Sequence, residues 1–320
     1  MDMTFLPLVT VVTETYKNFD YLENNIKSVL RQTYTPIEYI IADDGSGNFP
    51  LDRVKQIIEE NKRDNIIDVK FLISKENKGT VKNEGNAYHS ASGYILMPLA
   101  GDDEFYDEDV VSKVVNTFKQ TGCEALSVSR VAVNENKEFA YFLPHISDYK
   151  KIQTLDTPKK KYHSLVTGEF YNMVSGSTLY IKKDLFERLG GYDQRFVLWE
   201  DSPFLLKIFS AGINVETAYN IKGIYYRLGG VSTGNVNPKY LEDMKLYNSI
   251  LEKEHYSSLP ISVKRFIDHN SKSAQCKTNK DRIFLYLQDW IIMFRKILYR
   301  CNNKKGEFID VLTRRFIFTK

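Results

Sequence analysis

Along the first 130 residues, apolar positions alternate between two periods. Residues 8–13 form a continuous β-branched run, the pattern of a strand buried on both faces. In 18–32, Tyr21, Leu22, Ile26, Val29 and Leu30 recur at helical spacing. The same succession repeats: strand 37–42, helix 51–63, strand 69–73, helix 79–92, strand 94–99, helix 109–120 and strand 125–129. Strands alternating with helices predict an α/β fold, Rossmann-like, with a mostly parallel sheet and right-handed crossovers.

Beyond residue 129 the alternation stops. Residues 134–167 are polar, with Pro144, Pro158 and the run Lys159-Lys160-Lys161, and predict a loop-rich excursion whose lysines are solvated. Regular structure is expected again at 177–181 (strand), 183–189 (helix ended by Gly190-Gly191), 202–211 (helix) and 224–227 (strand). From Pro238 the pattern is helical only: 240–254, 262–274 and 281–300. The last carries Ile283, Phe284, Leu287, Trp290, Ile291, Phe294, Ile297 and Leu298 as one stripe. A boundary near 235–238 divides the chain into a 1–235 α/β domain and a 236–320 helical C-terminal extension. There is no internal repeat.

Composition narrows the setting. At 320 residues, with 42% hydrophobic and 27% charged residues, this is an ordinary globular chain. Its formal net charge of +3 implies no polyelectrolyte partner, and no nucleic-acid motif is present. Cys123, Cys276 and Cys301 have neither disulfide nor zinc spacing, which points to a reducing compartment. Residues 1–7 are too short and too acidic for a signal peptide, and no apolar run approaches the roughly 20 residues of a membrane span. The expected location is cytoplasmic, either free or peripheral on the inner face of the cell membrane. Self-association is left open.

Two acidic pairs stand where an apolar strand gives way to a polar turn. Asp43-Asp44 follows Tyr39-Ile40-Ile41-Ala42 and leads into Gly45-Ser46; Asp102-Asp103 follows the 94–100 run. In open α/β sheets the crevice at the carboxyl ends of strands is the ligand site. Carboxylates there suit a donor-rich ligand, or a divalent cation shared with a phosphate. Asp and Ser are also ordinary turn and helix-start residues, which is the plainer use of both pairs. The histidines, His89 among them, show no metal spacing.

Several of these stretches, in fixed order, resemble the family-2 glycosyltransferases. They are Val9-Thr10-Val11-Val12-Thr13-Glu14-Thr15-Tyr16, Ser28-Val29-Leu30-Arg31-Gln32-Thr33-Tyr34, Asp43-Asp44-Gly45-Ser46, Asn77-Lys78-Gly79, Ala91-Ser92-Gly93-Tyr94-Ile95, Gly101-Asp102-Asp103, Gly190-Gly191-Tyr192-Asp193, Trp199-Glu200-Asp201 and Tyr226-Arg227. The resemblance spans about residues 8–235 and implies a GT-A fold. Two departures stand out: Glu14 replaces a proline or small residue, and the helix after Gly79 carries Asn83, Glu84 and Asn86 instead of an Ala-Arg-Asn stretch.

The resemblance implies an inverting, metal-dependent transferase that moves a sugar from a nucleotide-sugar donor, a UDP-sugar first among them. The acceptor would be a hydroxyl of a glycan or lipid-linked oligosaccharide in surface-polysaccharide synthesis, of capsule or lipopolysaccharide type. It assigns donor-nucleotide contacts to Thr13, Glu14, Tyr16, Asp43, Asp44, Gly79, Lys82, Asp102 and Arg227, and Mn²⁺ or Mg²⁺ to Asp103. It places the catalytic base at Asp201 with Glu200 beside it, and the acceptor side at Gly176, Ser177 and Trp199. A dinucleotide oxidoreductase is disfavoured because no Gly-x-Gly-x-x-Gly follows Val12. A catalytically inactive nucleotide-binding scaffold at the membrane is disfavoured because Asp44, Asp103 and Asp201 are all present. The tail mixes the apolar stripe with Arg295, Lys296, Arg300, Lys304, Lys305, Arg314 and Arg315. That composition fits either packing on the α/β domain or an in-plane membrane helix.

Overall fold

The computed structural model describes residues 6–167, 174–229 and 237–317. The elements in chain order are β1 (Val9–Thr15), α1 (Leu22–Leu30), β2 (Ile37–Asp43), α2 (Leu51–Asn61), β3 (Ile66–Ile73), α3 (Thr80–Ser90), β4 (Ile95–Ala100), β5 (Glu104–Phe105), α4 (Val110–Thr121), β6 (Ala125–Val133) and β7 (Phe139–Leu143). There follow α5 (Tyr149–Gln153), α6 (Pro158–Thr167), β8 (Leu179–Lys182), α7 (Lys183–Arg188), α8 (Asp201–Ser210), β9 (Val215–Arg227), α9 (Pro238–Ile250), α10 (Ile261–Gln275), α11 (Asn279–Gln288) and α12 (Trp290–Ile317).

The strands form one mixed sheet in the order β3-β2-β1-β4-β8-β6-β9-β5, with β7 paired to β6. The expected parallel half is β3-β2-β1-β4. Strand β8 then enters antiparallel to both β4 and β6, so the sheet continues through a strand late in sequence. Alternating side chains fill two cores: Val12 and Ile40 face one cluster, Val11, Tyr39 and Ile41 the other. Because both faces are covered, every residue of β2 is buried, which is why its run reads as continuous and not alternating.

Strand order reverses between β1 and β4, and their register aligns the carboxyl ends. Glu14 pairs with Ala42 on one side and Ala100 on the other. The Asp43-Asp44 and Asp102-Asp103 turns therefore emerge side by side at the switch point.

Three expectations are corrected. Residues 134–167 are not loop-rich: they hold β7, α5 and α6. Their apolar residues are few but well placed, with Ile152 and Val166 in the first core. Lys161, expected in solvent, is buried, and its ammonium donates to the Asn214 side chain at 2.8 Å and to the Val215 carbonyl. The final strand is longer than expected, as β9 starts at Val215. The 281–300 helix breaks at Asp289, whose carboxylate accepts from Arg265. A capping box of Thr278 and Asp281 starts α11.

Helix α9 begins with Asn237 as N-cap and Pro238 in the first turn, and buries Tyr247 and Ile250 in the first core. Farther on, α12 is tied to the sheet edge by Asp310. That buried carboxylate accepts from the Phe142 and Ile146 N–H groups and faces the His145 ring at 2.7 Å. Between these anchors the stripe is not packed: Phe284, Leu287 and Trp290 are each more than 60% exposed. Of the two readings left open for the tail, packing on the α/β domain does not describe these side chains.

Candidate functional site

A cleft of about 670 Å³ opens at the switch point, within the size range of small-molecule sites. Glu14, Tyr16, Asp44, Asp102, Asp103, Gly176, Ser177, Trp199, Glu200, Asp201 and Arg227 all line it. Residues as far apart in sequence as Glu14 and Arg227 thus meet in one space.

At one end, Asp44 is buried, and burial raises its carboxyl above the usual range. Its Oδ1 accepts from the Lys78 N–H at 2.8 Å; Oδ2 accepts from the Gly79 N–H at 2.8 Å and from Asn77 Nδ2 at 2.9 Å. Three donors leave one of about four acceptor positions unused, on Oδ1. Gly79 (φ +88°) could carry no side chain, since a Cβ would lie 2.4 Å from the Val197 carbonyl oxygen. Tyr16 stands at the mouth, 43% exposed.

Four of the expected contacts are not cleft-lining. Asp43 is fully buried and closes its own turn, accepting from the Ser46 N–H and hydroxyl. Thr13 is fully buried and donates to Asn25 Oδ1 at 2.7 Å. Asn25 in turn donates to the Ala100 and Asp103 carbonyls, so Thr13 supports the acidic turn from below. Gly79 acts through Asp44, and Lys82 points into solvent from α3.

At the centre, Asp103 Oδ1 accepts from the Arg227 N–H at 2.8 Å, while Oδ2 is buried and has no hydrogen-bond partner among the described residues. Burial, then the neighbouring Asp102, pushes this carboxyl well above its usual range. A divalent cation at the orphaned oxygen would remove that penalty, so the residues present fit the ion the resemblance implies. No group of three or more His, Cys, Asp or Glu among the described residues could hold a metal. Asp103, with Asp102 beside it, would be the residue to hold such an ion.

Arg227, expected to hold a phosphate, has its guanidinium engaged. It donates to the carbonyls of Asp102 (3.2 Å), Asn134 (3.2 Å) and Glu135 (2.8 Å) and stacks on Tyr21 at 3.7 Å. The residues that follow Gly229, 230–236, lie outside the described residues.

At the other end, Asp201 occupies the first turn of α8. Its Oδ2 accepts from the Gly176 N–H at 3.0 Å and its Oδ1 from the Ser202 N–H. It is therefore not the helix cap; Glu200 holds that position. A Cβ at Gly176 would meet Glu200 Oε1 at 2.4 Å, so a larger residue there would displace the Glu200 carboxyl. Glu200 joins Glu14 and Glu84 in a cluster of acids. Burial, then Asp201 and Glu84, raises Glu200 far above its usual range; burial, then Glu84 and Glu200, does the same to Glu14; burial pushes Glu84 up to about 7. Burial and mutual repulsion thus favour the protonated carboxyl in this cluster, a form that can donate a hydrogen bond as well as accept one.

Two contributors were missed from sequence. Asp243 on α9 accepts from the Val197, Leu198 and Trp199 N–H groups, and so holds the segment leading into Glu200 and Asp201. Arg130 is buried in β6 and lines the cleft. Its signal was a lone cation in the run Ala125-Leu126-Ser127-Val128-Ser129-Arg130-Val131-Ala132-Val133.

Comparison with known proteins accords with this geometry. Residues 10–190 match the model of Glycosyl transferase family 2. An uncharacterized glycosyltransferase of Haemophilus influenzae is 23% identical over 231 residues, 72% of this chain and 68% of that one. A putative teichuronic acid biosynthesis glycosyltransferase of Bacillus subtilis, TuaG, is 32% identical over 117 residues, only 37% of this chain and 44% of its own length. Among solved structures, S. aureus TarS 1–349 in complex with UDP-GlcNAc superposes with TM-score 0.56 at 15% identity, covering 82% of this chain and 69% of that one. The Pyrobaculum calidifontis mannosyltransferase PcManGT, in complex with GDP-Man and Mn²⁺, gives TM-score 0.55 at 15% identity over 97% and 87%. These likenesses establish the GT-A-like fold. With more than half of its length matched by the family model, the chain is a glycosyltransferase and belongs to glycosyl transferase family 2.

Proposed function

We propose that this glycosyltransferase transfers a sugar, with inversion, from a nucleotide-sugar donor to a hydroxyl of a glycan or lipid-linked oligosaccharide in surface-polysaccharide synthesis. The observation that carries it is the meeting, in one cleft, of the orphaned Asp103 oxygen and the Asp201 carboxylate held by Gly176. The nucleoside lies at the Tyr16–Asp44 end, where the unused acceptor position of Asp44 takes a base N–H. A UDP-sugar is the first choice, although the similar structures carry UDP and GDP donors alike.

In the transfer, Asp201 accepts the acceptor hydroxyl's proton as that oxygen bonds to the anomeric carbon. The bond from that carbon to the diphosphate breaks on the opposite face, and the electron pair leaves with the nucleoside diphosphate. Glu200, with its raised proton affinity, donates a hydrogen bond to a sugar hydroxyl and fixes its orientation. Bound Mn²⁺ or Mg²⁺ at Asp103, with Asp102 beside it, supplies charge neutralisation for the departing diphosphate.

Thermal stabilisation and donor hydrolysis across UDP- and GDP-sugars, with and without Mn²⁺ or Mg²⁺, test the reading. A donor should stabilise the wild type only with metal, and Asp103→Ala should lose that response. Absence of stabilisation by every nucleotide would overturn it.

The tail supports a peripheral position on an anionic membrane face. No helix among the described residues is long and apolar enough to cross a bilayer. Yet Phe284, Leu287, Trp290 and Phe294 are exposed together in a segment rich in lysine and arginine. Aromatic side chains amid basic residues suit the headgroup boundary. Co-sedimentation with vesicles containing anionic phospholipid should capture the wild type and release a Phe284→Glu/Trp290→Glu variant. Equal recovery of both would refute the membrane position.

A further inference from the structure

The cleft contains two buried arginines, and they are not alike. The Arg227 fork is consumed by three carbonyls and a tyrosine ring. Arg130 has one long hydrogen bond, 3.5 Å to the Ser177 hydroxyl, and its guanidinium lies 4.7 Å from the Tyr226 ring centroid. Among the described residues it forms no ion pair. It is 6% exposed and lines the cleft, and among the described residues its one hydrogen bond is that to Ser177, which leaves most of its five N–H donors facing the cleft. A buried cation left this way is costly unless a ligand completes it.

Its position says which ligand. Register places Arg130 opposite Leu143 of β7 and Ile224 of β9. Its neighbours Ser177 and Leu143 line the cleft beside Gly176, whose N–H holds Asp201. Ser177 follows Gly176 directly and so belongs to the base end of the cleft. Asp103 and Asp201 both act on Arg130 electrostatically, but neither pairs with it.

We infer that Arg130 is the oxyanion-binding residue of the acceptor side, and that the acceptor carries a phosphate or carboxylate close to the hydroxyl that receives the sugar. This rests on the transfer reading above. A planar guanidinium offers two parallel N–H donors to either oxyanion, and Ser177 adds a hydroxyl. Arg130 so placed is a binding residue that orients the acceptor hydroxyl toward Asp201. Uncharged acceptors would leave the fork unpaired and bind poorly.

The test uses the full chain saturated with UDP or GDP and Mg²⁺, titrated by calorimetry with inorganic phosphate and, separately, acetate. The wild type should bind one of them on top of the nucleotide. Arg130→Gln should weaken that binding at least tenfold, Arg130→Lys should fall between, and Ser177→Ala should weaken it less than Arg130→Gln. Arg130→Gln should melt no lower than the wild type, because it removes an incompletely paired buried charge. Phosphate that competes with the nucleotide would place Arg130 in the diphosphate subsite and overturn the inference. Equal binding by Arg130→Gln, or none by the wild type, would reduce the residue to a counter-charge for the acids and overturn it too. If neither nucleotide binds, the transfer reading fails separately, and the same titration on nucleotide-free protein still decides the role of Arg130.

Discussion

Asp201→Asn is expected to lower the rate of sugar transfer by about 10²–10⁴-fold, the usual worth of a positioned general base. Donor affinity should be unchanged. The substitution is close to isosteric: the asparagine carbonyl can still accept from the Gly176 N–H, which now bonds Oδ2 at 3.0 Å. What it loses is the capacity to take a proton, together with the acceptor that now serves the Ser202 N–H, toward which the amide nitrogen would turn. The neighbouring Glu200→Gln supplies the contrast. Burial and Asp201 raise Glu200 well above the ordinary carboxylate range, which favours its protonated form, and glutamine retains a donor there. Glu200→Gln should therefore stay within about tenfold of wild type, since it disturbs hydrogen bonding and not proton transfer. Steady-state transfer with the donor identified by thermal stabilisation, alongside calorimetric donor binding, measures both. Full activity in Asp201→Asn, or a reversed ranking of the two variants, would move the base role elsewhere.

The parallel half of the sheet and its helices were legible because each element is covered on a predictable face. Runs such as 37–42 and 94–99 are nearly pure apolar, and Val110, Val111, Val114, Val115 and Phe118 fall on one side of α4. The acidic turns were legible for a related reason, since strand ends at a switch point are fixed by topology. The 134–167 region was not. Its helices bury one or two residues per turn among lysines, and Lys161 itself goes inside because Asn214 and Val215 supply acceptors. No local pattern announces a partner 53 residues away. The same limit hid the true work of Thr13 and Asp43. They sit in the right motif but point beneath the cleft, where Asn25 accepts from Thr13 and Ser46 donates to Asp43. Composition of the tail was readable, but the break at Asp289 depends on Arg265 of another helix.

Asp243→Ala is expected to cost about 3 kcal/mol of stability and most of the activity, although Asp243 does not line the cleft. This carboxylate is 3% exposed and accepts from three consecutive N–H groups: Val197 at 3.1 Å, Leu198 at 2.6 Å and Trp199 at 3.0 Å. Each donor left unpaired and dry costs about 1–3 kcal/mol, and water entering this half-buried segment recovers part of the sum. The functional loss follows from what Val197 touches. Its carbonyl accepts from the Val81 N–H at 3.2 Å and packs on Gly79, whose own N–H is held by Asp44. Two residues beyond Trp199 stands Asp201. The donor end and the base end of the cleft thus share one short segment, and Asp243 is the group that fixes it from α9. Asp243→Asn, keeping one acceptor oxygen, should lose less on both counts. At roughly 2 °C per kcal/mol for a chain of this size, the alanine variant should melt about 6 °C lower. Its kcat should fall further than thermal unfolding explains at the assay temperature. An alanine variant with lowered melting temperature but unchanged kcat would show that the 197–199 segment holds Asp201 without help from α9.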